Sequence, residues 1–367
     1  MGLLQTHIWP LRFTLSKGGI SIRAVILAAG RGTRMKPLTD TVPKAMLPAA
    51  GKTLIERLIS SFHAAGVTSF TVGIGWKGEM VREHLESLSG TNRIQTVDVP
   101  DYSRGPLQTL VTALSEVEDE AYVVSAVDYV VEPASISRTV TDHLREPNSR
   151  AMTLLLGPWK ESGTPVYAQE NGQIAGIGEQ ILPSGTIGCS AMLLAVSRPF
   201  GEICRNALSL GVTSIPPVIN SMISDGLILR YVMTEQEWFD VDDISSLLSA
   251  NHYLLQKMAV GSGSQLLVPH GSRLTAGRQM RHKQTIVLDA GAEIVGPVLI
   301  SPRCRVGKNA IIGPFVTMDA GSQVGERCSV ERSVLSAKAS LAHNTQVKDS
   351  VVFGPSVYGM GSNHVAE

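Results

Sequence analysis

Cysteine is scarce and scattered. The four residues, Cys189, Cys204, Cys304 and Cys328, form no CxxC pair and adjoin no histidine cluster. That excludes a zinc site and a disulfide framework, and it fits reduced, buried thiols in a cytoplasmic protein. Aromatic residues make up only 5% of the chain, too few to build stacking platforms for single-stranded nucleic acid. Charge of either sign is not in excess, since 32 basic side chains meet 32 acidic ones. No net field therefore draws the protein to nucleic acid or to a membrane. No apolar run reaches the length of a membrane span. Residues 1–21 show neither the charged start nor the cleavage pattern of a signal peptide and read as an N-terminal extension.

What is present points to a compact protein. The 367 residues are 43% hydrophobic and 17% charged, enough for two domains and a sizeable core. Arg23 to Ala28 is a continuous apolar run, the pattern of a strand buried on both faces of a parallel sheet. Helical spacing follows at Leu54 to Ala64, at Glu79 to Leu88 and at Pro106 to Val117. Phe70 to Ile74 and Ala121 to Val127 read as strands. This alternation predicts an open α/β sheet, whose ligands sit beyond the carboxyl ends of the strands. From Met152 the pattern changes to short strands, with Asn171-Gly172 as a hairpin turn.

The first strand runs directly into Gly30-Arg-Gly32-Thr33-Arg34, with Lys44 ten residues on. Backbone N–H groups freed by glycines, together with two cations, suit a polyanion such as a nucleoside triphosphate. Two familiar glycine-rich patterns do not fit. A dinucleotide fingerprint needs a third glycine where Met35 stands, and a P-loop needs a Gly-Lys-Ser/Thr run that the chain lacks.

Polar, glycine-rich Gly261-Ser-Gly-Ser264 marks a flexible linker, placed at 256–283. Beyond it aliphatic residues recur every six positions, at Ile294, Ile300, Val306, Ile312, Met318, Val324 and Val330. After a one-residue slip the series resumes at Leu335, Leu341, Val347 and Phe353. Such a period predicts a left-handed parallel β-helix over 284–367, each repeat supplying one side of a triangular prism. Cys304 and Cys328, 24 residues apart, fall out of step with coils of three such repeats and should not pair. The stack leaves faces to cover, which predicts a homo-oligomer. A fragment ending near residue 260 should keep transferase activity if it folds.

The run Leu27-Ala-Ala-Gly30-Arg-Gly32-Thr33-Arg34, then Pro37-Leu38-Thr39 and Pro43-Lys44, resembles the signature of the sugar-phosphate nucleotidylyltransferases. The tandem with hexapeptide repeats is also similar to members of that family. The resemblance implies a Rossmann-like, open mixed-sheet nucleotidyltransferase domain over 22–255, followed by the β-helix. It implies Mg²⁺-dependent transfer of a nucleotidyl group from an NTP to a sugar 1-phosphate, with release of pyrophosphate. Arg34, Lys44 and Asp128 would be catalytic, and Leu27, Ala28, Ala29, Gly30, Gly32, Thr33, Gly105 and Gln108 would bind the nucleotide. Asp128 and Asp240 would hold the metal, and Glu179 and Gly188 would contact the acceptor.

The chain departs from the family pattern at Val127, before Asp128, and at Asp242, where the family has glycine. Gln180 stands where a lysine usually binds the acceptor phosphate. Two alternatives follow: a CTP-dependent enzyme acting on an alcohol phosphate, or a regulatory subunit of the same architecture. A further alternative gives the β-helix an acetyltransferase activity, with His282 or His343 as base. Asp243, just ahead of Ile244-Ser-Ser-Leu-Leu, reads as a helix cap.

Overall fold

A computed structural model describes residues 22–88, 93–146, 150–178, 185–269, 273–276 and 284–359. The expectations for residues 1–21, Glu179, Gln180 and His282 lie outside the described residues. The chain divides into two compact units. One comprises the described residues up to Gly30, with Ile59–Val127 and Val131–Trp238. The other comprises Arg31–Leu58, Asp128–Val130 and the chain from Phe239 onward.

The first unit is built on a nine-stranded mixed sheet. Its strands are β1 (Arg23–Ala28), β2 (Ser69–Ile74), β3 (Arg93–Asp98), β4 (Ala121–Ala126) and β5 (Met152–Gly157), followed by β6 (Pro165–Ala168), β7 (Ile174–Ile177), β8 (Thr186–Ser197) and β9 (Leu229–Met233). The order is β7-β6-β8-β4-β1-β2-β3, with β5 paired to β8 and β9. The first four strands are parallel to one another, and β8 runs against β4, β5 and β6. In β1 every residue from Ala24 to Ala28 is buried, as an apolar strand between two covered faces requires. β1 and β4 are neighbours, with Leu27 beside Ala126, so the segments entering Gly30 and Asp128 leave the sheet side by side.

Helices α1 (Leu54–Ala64), α2 (Gly78–Ser87), α3 (Pro106–Leu114), α4 (Pro133–Arg145), α5 (Phe200–Ser209) and α6 (Ile215–Ser224) connect these strands. β1 and α1 have the expected bounds. α3 stops three residues short of Val117, because Glu116, Glu118 and Asp119 place negative charge at the negative end of the helix dipole. Gln169 and Gln173 close the Asn171-Gly172 hairpin, with Gly172 at φ 77°.

In the second unit three parallel sheets form a β-helix. One stacks Val298–Ile300, Val316–Met318, Val334–Leu335 and Ser350–Phe353. The second includes Arg305–Val306, Gln323–Val324 and Ser340–Leu341, and the third Glu293–Ile294, Ile311–Ile312, Ser329–Glu331 and Gln346–Lys348. Lower coils advance by 18 residues, as from Val298 to Val316 and from Ile311 to Ser329. Upper coils advance by 17, as from Met318 to Leu335 and from Leu335 to Val352. The slip expected after Val330 therefore recurs after Val347. Val352, fully buried, takes the inward place expected for Phe353, which is only half-buried. All four cysteines are free, and Cys304 stacks on Ser322, 3.3 Å away.

The last helix, α7 (Ile244–Ser262), overturns the expected start of the linker. Helix continues through Gly261 and Ser262, and Gly263 ends it in the left-handed conformation. α7 belongs to one apolar cluster in which Met35, Leu38, Leu47 and Leu54 pack with Leu247 and Leu255, and with Leu267, Leu299, Val334 and Val351. The residues around Lys44 thus share a core with the β-helix. This packing undercuts the expectation that a fragment ending near residue 260 is self-sufficient.

Candidate active site

Asp240 enters the site through a two-residue pairing. Phe239–Asp240 runs antiparallel to Tyr129–Val130, with Asp240 opposite Tyr129. Val241 N donates to Asp128 O at 2.9 Å, locking the two short segments together. As a result Asp128, Asp240 and Asp242 each offer a carboxylate oxygen within 4.8 Å of the others.

Lys44 joins them from another segment of the same unit. Its Nζ lies 2.6 Å from Asp128 Oδ2 and 2.6 Å from Asp242 Oδ1. Burial works against the charge on Lys44, but Asp128 and Asp242 outweigh it and hold the lysine above its ordinary value. Gly32 makes room for this side chain. It sits at φ 64°, and a Cβ there would lie 3.2 Å from Lys44 Cβ and from Thr39 Cγ2. Thr39 Oγ1 fixes the same turn by donating to Gly32 O at 2.8 Å. Arg34 reaches Asp242 Oδ2 at 2.5 Å with a side chain that is 75% exposed.

Three carboxylates face two cations here, and the electrostatics record the excess. Burial first, then Asp128 and Asp242, raise Asp240 well above an ordinary aspartate. Tyr129 donates to Asp240 Oδ2 at 2.9 Å, and burial with Asp240 nearby pushes its phenol well above its usual value. Asp128 Oδ1 is buried without a hydrogen-bond partner, an expensive arrangement unless a cation binds there. A cluster of hard oxygen donors with one buried oxygen unpaired fits a divalent cation.

The structure thus brings Arg34, Lys44, Asp128 and Asp240 together. It also adds two residues that sequence reasoning missed. Asp242, weighed there only as a departure from the family, bridges Lys44 and Arg34; Tyr129 orients Asp240. Asp243 is the cap of α7, its carboxylate accepting from Ser246 N at 2.7 Å.

The remaining candidates occupy several settings. Leu27, Ala28 and Ala29 are buried at the end of β1. Gly30 is exposed, and a Cβ there would meet nothing within 4 Å. Thr33 is exposed in the turn ahead of Arg34. Gly105 has a packing reason, because at φ 109° a Cβ would lie 2.5 Å from Thr213 O. Gln108 Nε2 bonds Thr112 Oγ1 at 3.1 Å, and its Oε1 is buried and unpaired. Gly188 faces strand β5 so closely that a Cβ would lie 2.4 Å from Gly157 O. His343 Nδ1 accepts from Glu326 N at 2.9 Å in a β-helix turn.

Comparison with known proteins agrees with this geometry. Residues 24–174 match the MobA-like NTP transferase domain, and residues 294–362 match the GMPPB C-terminal domain. The chain is 24% identical over 342 residues to a bifunctional sugar-1-phosphate nucleotidylyltransferase/acetyltransferase of Sulfurisphaera tokodaii, covering 93% of this chain and 82% of the relative. It is 23% identical over 349 residues to a probable mannose-1-phosphate guanylyltransferase of Oryza sativa subsp. japonica, covering 93% and 87%. Among solved structures, the inositol-1-phosphate CTP transferase from T. maritima shares the fold, with a TM-score of 0.55 and 20% identity over 66% of this chain and 98% of that one. No helix among the described residues is long and apolar enough to cross a membrane. With a nucleotidyltransferase sheet, a β-helix and matches along both, the chain carries a MobA-like NTP transferase domain and a GMPPB C-terminal domain, has sugar-1-phosphate nucleotidylyltransferases as homologues, and is an enzyme of that type.

Proposed function

We propose that this enzyme transfers a nucleotidyl group from an NTP to a sugar 1-phosphate, in a Mg²⁺-dependent reaction that releases pyrophosphate. The observation that carries the reading is the convergence of Asp128, Asp240 and Asp242 on Lys44 and Arg34. Nucleotidyl transfer asks for in-line positioning and charge neutralisation rather than covalent work by the protein. Asp128 and Asp240, with Asp242 beside them, would hold the metal, which when bound draws charge from the phosphate oxygens.

Lys44, buried and charged, stands ready to turn from the carboxylates to the α-phosphate or the acceptor phosphate. Arg34, mostly exposed, is free to swing toward the triphosphate. Gly30 leaves backbone uncovered where a phosphate can approach closely, and Leu27, Ala28, Ala29, Gly32 and Thr33 shape that turn. Gln108 offers a buried, unpaired oxygen to the base, beside Gly105. Gly188 and Glu179 remain the acceptor candidates. We place the protein in the cytoplasm, in keeping with four buried, unpaired thiols. We also propose a homo-oligomer formed through outer faces of the β-helix.

The test is pyrophosphate release with Mg²⁺ across four NTPs and a panel of sugar 1-phosphates, inositol phosphate and phosphocholine. Turnover with a sugar 1-phosphate is expected. Turnover confined to CTP with an alcohol phosphate would overturn the acceptor assignment, and no turnover with any pair would overturn the proposal.

A further inference from the structure

Four residues after Lys44 the chain makes a tight hairpin, Pro48–Ala49 paired with Lys52–Thr53. Ala50 at φ 45° and Gly51 at φ 79° form its tip. Leu54 N donates to Leu47 O at 2.9 Å and ties the hairpin base to the Lys44 turn. The hairpin tip is fixed on several sides. Arg57 Nη2 donates to Ala50 O at 3.0 Å. Ala50 N donates to Asn251 Oδ1 at 2.9 Å, and the same oxygen accepts from Thr317 Oγ1 at 2.7 Å. Gly51 packs so tightly that a Cβ there would lie 2.5 Å from Leu299 Cδ2.

Leu299 and Thr317 are register partners on adjacent β-helix strands, and the column continues through Val334 and Val351. They alternate with the inward residues Ile300, Met318, Leu335 and Val352, so they lie on the outer face of the prism. An outer face of a solenoid is ordinarily wet; here all four are buried. Apolar contact along such a column is non-directional and permits sliding. A buried amide oxygen that must satisfy two donors permits one seating only.

We infer that Asn251 is a positioning residue of the transfer reaction, through which the β-helix sets the hairpin and hence Lys44. The inference rests on the role proposed for Lys44. That lysine rests with its ammonium 2.6 Å from two carboxylates and must reach a phosphate from there, and a displacement of about 1 Å remote from the chemistry can cost about 10²-fold in rate.

The experiment compares Asn251→Leu, Asn251→Asp, Thr317→Val and Val330→Ala in the full-length protein, well below each melting temperature. Asn251→Leu strands two buried donors, whereas Asn251→Asp keeps an acceptor for both. Val330, inside the prism, serves as a matched loss of β-helix stability. We expect kcat to fall at least about tenfold in Asn251→Leu with the KM for NTP within about threefold, partial recovery in Asn251→Asp, and a smaller fall in Thr317→Val. Val330→Ala should lose stability and keep kcat. Hydrogen exchange over residues 44–51 should quicken in Asn251→Leu and not in Val330→Ala.

A kcat within twofold of wild type in Asn251→Leu, or unchanged exchange over 44–51, overturns the inference. If Asn251→Leu does not fold, Thr317→Val decides, and an unaltered kcat there overturns it equally. Lys44→Ala, measured alongside, separates the two readings. Loss in Lys44→Ala without loss in Asn251→Leu sinks only the positioning role, whereas an active Lys44→Ala enzyme removes the role of Lys44 itself.

Discussion

Asp242 accepts a hydrogen bond from the Lys44 ammonium at 2.6 Å, although 198 residues separate the two in the chain. The other oxygen of Asp242 meets Arg34. One carboxylate therefore holds both cations of the glycine-rich loop in place before any substrate arrives. The neighbouring Asp243 has a different task, capping α7.

Asp242→Asn should consequently reduce kcat by about 10²-fold, the cost typical of losing one electrostatic contributor to the transition state. Asp243→Ala should cost about 1 kcal/mol of stability through the lost cap and leave kcat nearly unchanged. Steady-state kinetics together with urea titration of both variants checks the contrast, and equal kinetic losses would contradict it.

Asp128→Asn and Asp240→Asn should each weaken divalent-cation binding at least about tenfold and lower kcat by about 10²-fold. Mn²⁺ titration followed by electron paramagnetic resonance reads the first effect without turnover. Wild-type affinity in either variant would show that residue to be no ligand.

Arg34→Ala should cripple turnover with little change in melting temperature, because an ion pair on so exposed a side chain adds little stability. Lys36→Ala is the control. Lys36 lies in the same loop but pairs with Asp40 at 3.4 Å, and its loss should leave kcat within a few-fold. A comparable fall in both variants would point to loss of local positive charge alone.

His143 gives the first unit a defined acid sensitivity. It is fully buried, with Thr153 Oγ1 3.4 Å and Ser197 Oγ 3.3 Å from its ring nitrogens. Burial, aided by Arg150, lowers it from 6.5 to about 4. Between those values the unfolded chain binds the proton and the folded chain does not. Stability is therefore intact above pH 6.5 and declines as pH falls toward 4, by about 3 kcal/mol. Urea titrations from pH 7.5 to 4 should show a flatter profile for His143→Leu than for wild type.

A fragment ending at Ser262 should fail to hold the active site. It would uncover Leu247, Leu255 and Leu54, remove Leu299, Val334 and Val351 from their side of the cluster, and take away the Thr317 hydroxyl that bonds Asn251. Expression of residues 1–262 should give aggregated or inactive protein. A monodisperse fragment with wild-type kcat would refute this.

Much of the site was legible because its residues sit in a contiguous motif or at strand ends. Arg34 and Lys44 lie in the glycine-rich run and Asp128 follows an apolar strand, whereas Asp240 came only from the resemblance to the nucleotidylyltransferases. Asp242 was not legible. Three aspartates within four residues before a helix look alike in sequence, and the pairing of Phe239–Asp240 with Tyr129–Val130 decides which of them turn inward. Asn251 carried no signal either, being one polar residue inside an apolar helical pattern. Both depend on partners far away in the chain. In the β-helix the period located ten of the eleven inward residues from Ile294 onward. It missed Val352 because no further coil repeats the register beyond it: the next strand, Ser356–Gly359, folds back antiparallel on Ser350–Phe353.

That corner has a consequence for how the chain tolerates length variation. Arg332 and Asp349 occupy the shortened bend in successive coils, both at positive φ, and Arg332 Nε bonds Asp349 Oδ1 at 2.7 Å. In the lower coils the same bend is longer and carries Gly296-Pro297 and Gly313-Pro314. Strands above and below stay aligned despite the change, as Val330 opposite Val347 and Met318 opposite Leu335 show. The bend behaves as an expansion joint. An insertion or deletion of one residue there is absorbed locally, whereas the same change within a flat side would turn every later aliphatic residue outward.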